Sequence, residues 1–217
     1  MKRFTALLLT ALMVSPALAG DEFKADFKNE LGEGWTFVRE DSADWRFKDR
    51  ALELLAQPSN IWEKANLNTE NFLLRPIPRG PFAVEVTVDF KPTRVYEQAG
   101  LMIYVDDDNY LKFDRENIEG NQNCTLVWEI NAKVGGGKTI PFREGPLRLR
   151  LEVSSEGQVT AKVKSPGEDS WTMNGSTTLP GPPDKVQVGL FALNGDPEAP
   201  RWARFKDFSI STNEKQD

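Results

Sequence analysis

The chain has 217 residues, with 27 basic and 33 acidic side chains, no histidine and one cysteine, for a formal net charge of −6. Without histidine, Ser-His-Asp and Cys-His nucleophilic catalysis and histidine-ligated zinc are excluded, and Cys124 alone cannot close an intrachain disulfide. An acidic surface repels phosphate backbones and anionic headgroups, so nucleic acid and membrane surfaces are poor partners, whereas a neutral ligand loses nothing.

At the N-terminus Lys2 and Arg3 precede an apolar run from Phe4 to Val14 and the small-residue pattern Ala17-Leu18-Ala19. This layout predicts a secretory signal cleaved after Ala19, with the mature chain starting at Gly20. The run is too short to span a hydrocarbon core that needs about 20 helical residues. No cysteine follows the cleavage site, so no lipid anchor is expected. Cleavage removes two cations and no acid, moving the net charge from −6 to −8. The expected organisation is a signal peptide at 1–19, one β domain at 20–211 and a disordered tail at 212–217, with the mature protein periplasmic or secreted.

Beyond the signal the hydrophobic period is two. Phe82, Val84, Val86, Val88 and Phe90 alternate with Ala83, Glu85, Thr87 and Asp89, which predicts a strand with one buried face. Further strands are predicted at 98–105, 110–115, 125–130, 147–153, 159–164, 186–192 and 203–210. Turn signals separate them, among them Ser155-Glu156-Gly157 and Gly135-Gly136-Gly137. No amphipathic helix intervenes, so the fold class is all-β, with two packed sheets or a barrel.

The stretch Gln98-Ala-Gly-Leu-Met-Ile-Tyr104, followed by Asp107-Asp-Asn-Tyr110, resembles the central hairpin of a concanavalin A-like domain. Phe27 and Trp35, Arg39-Glu-Asp41 before Trp45, Asn71 to Arg75, Gly189 to Ala192, Phe205 and Phe208 fall in the matching order. Such domains lie C-terminal to the catalytic domain of some β-xylosidases and also occur as separate secreted proteins. The resemblance implies a two-sheet antiparallel jelly-roll sandwich. In the xylosidases the catalytic carboxylates belong to another domain, a propeller, so the resemblance carries the fold across and not the activity.

Parity divides the predicted hairpin. Ala99, Leu101, Ile103, Leu111 and Phe113 form an apolar face, while Gln98, Met102, Tyr104, Tyr110, Lys112 and Asp114 form the other, joined by Glu129 of the next strand. Two tyrosines beside an amide, an ammonium and carboxylates can stack on sugar rings and hydrogen-bond hydroxyls. The same face also reads as an ordinary solvated sheet surface with cross-strand ion pairs. On either reading Tyr104 and Lys112 are expected to contribute little to stability. Trp62, in a polar stretch, is a second candidate stacking platform, and Trp35 and Trp45 read as structural.

Asp106-Asp-Asp-Asn109 offers oxygen ligands for calcium, but EF-hand spacing would need glycine at Leu111 and glutamate at Asn117, so it reads as a hairpin turn. No metal site and no cofactor are assigned, with structural calcium left open. Gly135-Gly-Gly-Lys-Thr139 lacks the first glycine of a phosphate loop, Ala132 standing in its place, and reads as a turn. Carboxylate chemistry survives the missing histidine, but the E-x-D-x-E strand of sandwich glycosidases is absent and Asp114-Arg-Glu116 gives only two acids on one face. No catalytic residue is assigned. The leading expectation is a lectin-like carbohydrate-binding protein. A polysaccharide hydrolase or lyase and a structural or protein-interaction module of the cell envelope are the alternatives.

Overall fold

The computed structural model describes residues 22–64, 68–142 and 145–212. The secretory signal expected at 1–19 therefore lies outside the described residues, as does the tail from 213. In chain order the strands begin with β1 (Phe23–Ala25), β2 (Thr36–Val38), β3 (Trp45–Lys48), β4 (Ala51–Leu55) and β5 (Phe72–Pro76). Next come β6 (Phe82–Asp89), β7 (Gln98–Asp106), β8 (Asn109–Ile118), β9 (Asn121–Ile130) and β10 (Lys133–Pro141). The series closes with β11 (Leu147–Val153), β12 (Gln158–Lys164), β13 (Thr172–Thr178), β14 (Gln187–Leu193) and β15 (Trp202–Thr212).

One sheet runs β13-β12-β11-β6-β15-β4-β3, with β1 also paired to β15, and the other runs β10-β9-β8-β7-β14-β5-β2. All these pairings are antiparallel. Consecutive strands β7 to β10 pair as hairpins, whereas β14 and β15 return from far along the chain to fill the centre of each sheet. The result is a jelly-roll sandwich of two antiparallel sheets.

Alternation builds the core. Val84, Val86 and Val88 of β6 and Leu149 and Leu151 of β11 face Leu101 and Ile103 of β7 and Leu111 and Phe113 of β8 between the sheets. Cys124 is buried on the same inner side with Leu126. Trp35 packs against Phe23, Phe27 and Phe208, and Trp45 against Phe37 and Phe47, which gives both indoles a structural place at the sandwich rim.

Two local expectations are corrected. Gly135 to Gly137 lie inside β10 and are not a turn; the reversal is at Asn131 and Ala132, whose φ angles of 53° and 57° suit a two-residue hairpin. Glycine is required at 135 by close approach, because a Cβ there would lie 2.5 Å from the Trp128 indole. Thr212, placed in the tail by sequence, is the last residue of β15 and pairs with Phe82.

Val86 is fully buried, and Thr87 points outward with its hydroxyl donating to Asp207. Val86→Ala is expected to destabilise the protein by about 1 to 3 kcal/mol, and Thr87→Ala by no more than about 0.5 kcal/mol. Denaturant titration of the two variants checks this, and equal costs would contradict the parity.

Candidate functional site

The outer face of the seven-stranded sheet carries the candidate residues. Gln98 on β7 lies opposite Glu116 on β8, Gly100 opposite Asp114 and Met102 opposite Lys112. Tyr104 lies opposite Tyr110, which has Glu129 of β9 on its other side. The parity read from the sequence therefore holds for all six hairpin residues and for Glu129.

The expected solvation does not hold. Residues 57–63, which follow β4, lie over this face, and Ile61 is buried in a second apolar cluster with Phe72, Met102, Tyr110 and Phe191. Lys112 is 1% exposed and Asp114 0%, and Gln98, Tyr104, Tyr110 and Glu129 are buried as well. Backbone bonds fasten the segment at its start, where Asn194 N donates to Ser59 O at 2.9 Å and Gly195 N to Gln57 O at 2.8 Å. Ahead of β5, Arg39 Nε donates to Thr69 O at 2.6 Å.

Three of the candidate residues hold this cover in place. Tyr104 Oη donates to Asp107 at 2.9 Å, and the Arg39 guanidinium grips the same carboxylate through two bonds of 2.9 Å. Tyr110 Oη donates to Glu129 Oε2 at 3.1 Å, and Glu63 N of the covering segment donates to that same oxygen at 3.1 Å. Burial, with a carboxylate beside each, pushes both phenols above their ordinary range. Tyr104 also packs edge-on against Phe72, with ring centroids 5.7 Å apart, so the expectation that it is dispensable for stability is overturned.

Beside the anchored region, Trp62, Tyr96, Gln98, Lys112, Glu116 and Thr125 line a cavity of about 410 Å³. Its floor is a relay: Lys112 Nζ donates to Gln98 Oε1 at 2.8 Å, and Gln98 Nε2 donates to Glu116 Oε1. The Lys112 ammonium sits 5.8 Å from the centroid of Trp62. Tyr96 was not singled out by sequence because it lies in a short loop with no period. It is 52% exposed and holds φ at 64°, a left-handed conformation that costs a bulky residue energy. Tyr96 N bonds Asn117 O at 2.8 Å, Asn194 Nδ2 bonds Tyr96 O at 3.0 Å, and the buried Glu97 carboxylate accepts Thr93 N at 2.6 Å. Of the residues proposed from sequence, the cavity thus gathers Trp62, Gln98 and Lys112, while Tyr104, Tyr110 and Glu129 belong to the fastening and Asp114 lies beneath.

Asp114 is the least compensated group on this face. Glycine at 100 makes its position available, since a Cβ there would come within 2.8 Å of Asp114 Cβ. Neither carboxylate oxygen has a hydrogen-bond partner among the described residues. Burial, reinforced by Glu116, raises its pKa well above the ordinary carboxylate value against the opposing pull of Lys112. Burial likewise raises Glu116 and lowers Lys112.

The acidic turn at 106–109 behaves as a turn, with Asp106 Oδ1 accepting Asp108 N at 3.0 Å and Asn109 Nδ2 at 2.8 Å. Elsewhere among the described residues Asp41, Asp44 and Glu70 bring one oxygen each within 4.8 Å of one another. Two of these already accept hydrogen bonds, Asp41 from Ala43 N and Asp44 from Gln57.

A family model described as a protein of unknown function, DUF1349, matches residues 41–213. No curated protein matches the sequence. Among solved structures the fold is similar to the GH43 protein BlXynB of Bacillus licheniformis, with 22% identity and a TM-score of 0.78, over 87% of this chain and 39% of that one. It is also similar to the xylan β-1,4-xylosidase of Bacillus halodurans, with 16% identity and a TM-score of 0.75, over 95% of this chain and 41% of that one. The chain spans about two fifths of the length of both. A functionally unknown protein of Saccharomyces cerevisiae matches at 20% identity and a TM-score of 0.68, over 84% of this chain and 98% of that one. These likenesses establish the concanavalin A-like fold.

A carboxyl group held protonated by burial favours the native state at low pH, and that advantage is lost as pH rises from the unfolded value near 4 toward the raised native one. Over that window Asp114 is expected to cost the protein stability progressively as pH rises. Asp114→Asn removes the titrating group, so the variant should gain on the native protein as pH rises from 4 to 8. Urea unfolding across that range measures the gap, and a constant difference would contradict the assignment.

Proposed function

The chain belongs to this family of unknown function, and from that premise we propose that it is an exported protein that binds a glycan in the cavity without altering it. The observation that carries this reading is the pairing of two aromatic side chains, Trp62 and Tyr96, with the Lys112-Gln98-Glu116 relay in one cavity. Flat rings stack on sugar faces, and a convergent ammonium, amide and carboxylate can replace the water that hydroxyls lose on binding. A volume of about 410 Å³ falls within the range of about 300 to 1,000 Å³ common to small-molecule sites. Export rests on the basic, apolar and small-residue layout of residues 2–19.

Binding is favoured over hydrolysis by the carboxylates. Hydrolysis needs two carboxyl groups flanking the scissile bond, and Glu116 is the one that lines the cavity among the described residues. The GH43 enzymes whose sandwich domain this chain resembles carry that domain apart from their catalysis.

A glycan array followed by titration calorimetry on the best hit tests the reading. Trp62→Ala and Tyr96→Ala should each weaken binding by about 1 to 3 kcal/mol. Tyr96→Ala should leave the melting temperature close to the native one, because its ring is exposed. Unchanged affinity in both variants would move the site elsewhere, and release of reducing sugar from the bound glycan would replace binding by catalysis. Separately, mass spectrometry of the exported protein should find Gly20 at the N-terminus; a chain retaining Leu7 would contradict export with cleavage.

A further inference from the structure

We propose that the cavity selects glycans without acidic groups and rejects those bearing uronate or sulfate, an inference that rests on the glycan-binding reading above. It comes from the charges that the fold places on one sheet face. Lys112, Asp114 and Glu116 project from β8 and Glu129 from β9, all of them buried. Three carboxyl groups thus surround one ammonium. With all four ionised the face carries two negative charges, and with Asp114 protonated it still carries one.

Lys112 is also poorly placed to receive an anion. Its Nζ is committed to Gln98, and it lies 5.8 to 5.9 Å from the ring centroids of Trp62, Tyr110 and Phe191. It is the one cation lining the cavity among the described residues, and Glu116 lines the same wall. Arg39, which packs over Phe72 of the same face, is bound to Asp107 through both terminal nitrogens. A ligand carboxylate about 6 Å from Glu116 would lose on the order of 100-fold in affinity to that one charge at an effective dielectric constant of about 20. A hydroxyl loses nothing by comparison, since it can donate to Glu116 and accept from Lys112.

The test uses the mature full chain on an array that pairs neutral glycans with acidic counterparts: galactan with polygalacturonate, xylan with glucuronoxylan, and dextran with dextran sulfate. The expected result is that neutral members lead each pair, and that the affinity of the best hit holds between 20 and 500 mM NaCl, since no ligand charge is there to be screened (roughly a threefold or larger change in Debye length). Glu116→Gln should then raise the affinity for the acidic counterpart relative to the neutral one on the order of 100-fold. If acidic members lead, or if binding collapses with salt, the charge inference is overturned while glycan binding stands. If no member of any pair binds, both readings fall.

Discussion

An ammonium group withdrawn from water sets the terms for the whole outer face. Lys112 can stay charged only where carboxylates and hydrogen bonds replace its hydration, and β8 and β9 supply them from Asp114, Glu116 and Glu129. Three acids around one cation leave a surplus that must be settled locally. Glu129 accepts the Tyr110 hydroxyl and the Glu63 amide, and in doing so fastens the covering segment. Glu116 takes the Gln98 amide, which completes the cavity floor. Asp114, left without a partner, is held toward its neutral form. Fastening, floor and titration behaviour thus share one electrostatic origin.

The parts of the fold with a local cause were legible in the sequence. Period-two alternation located β6, β7, β8 and β11 and assigned the faces of β6, β7 and β8 correctly, because each side chain's direction in a strand follows from the residue before it. The polar face failed at a single point, its exposure. Ile61 lies in a polar, aperiodic stretch, and its burial depends on Phe72, Tyr110 and Phe191, which reach it only after the sheet has formed. The glycines of β10 misled for a related reason: Gly135 answers to Trp128 across the strand pair and not to a bend in its own chain. Tyr96 carries no periodic signal at all, and its importance appears only when Asn117 and Asn194, distant in sequence, are seen holding it.

The comparisons separate scaffold from site. The yeast protein is matched over nearly its full length, and the two GH43 enzymes over about two fifths of theirs. One sandwich therefore serves both as a whole chain and as one domain among others. At identities of 16 to 22% the shared property is the fold. The Lys112 face is accordingly argued from this chain's own residues.

Tyr96 separates what the fold needs from what it keeps. A glycine would hold φ at 64° without steric conflict, whereas the tyrosine leaves 52% of its surface exposed. Selection for stability alone would not retain a bulky side chain there. An engineer replacing strained residues to harden this sandwich would choose position 96 early, obtain a sturdier protein, and remove one wall of the cavity in the same step.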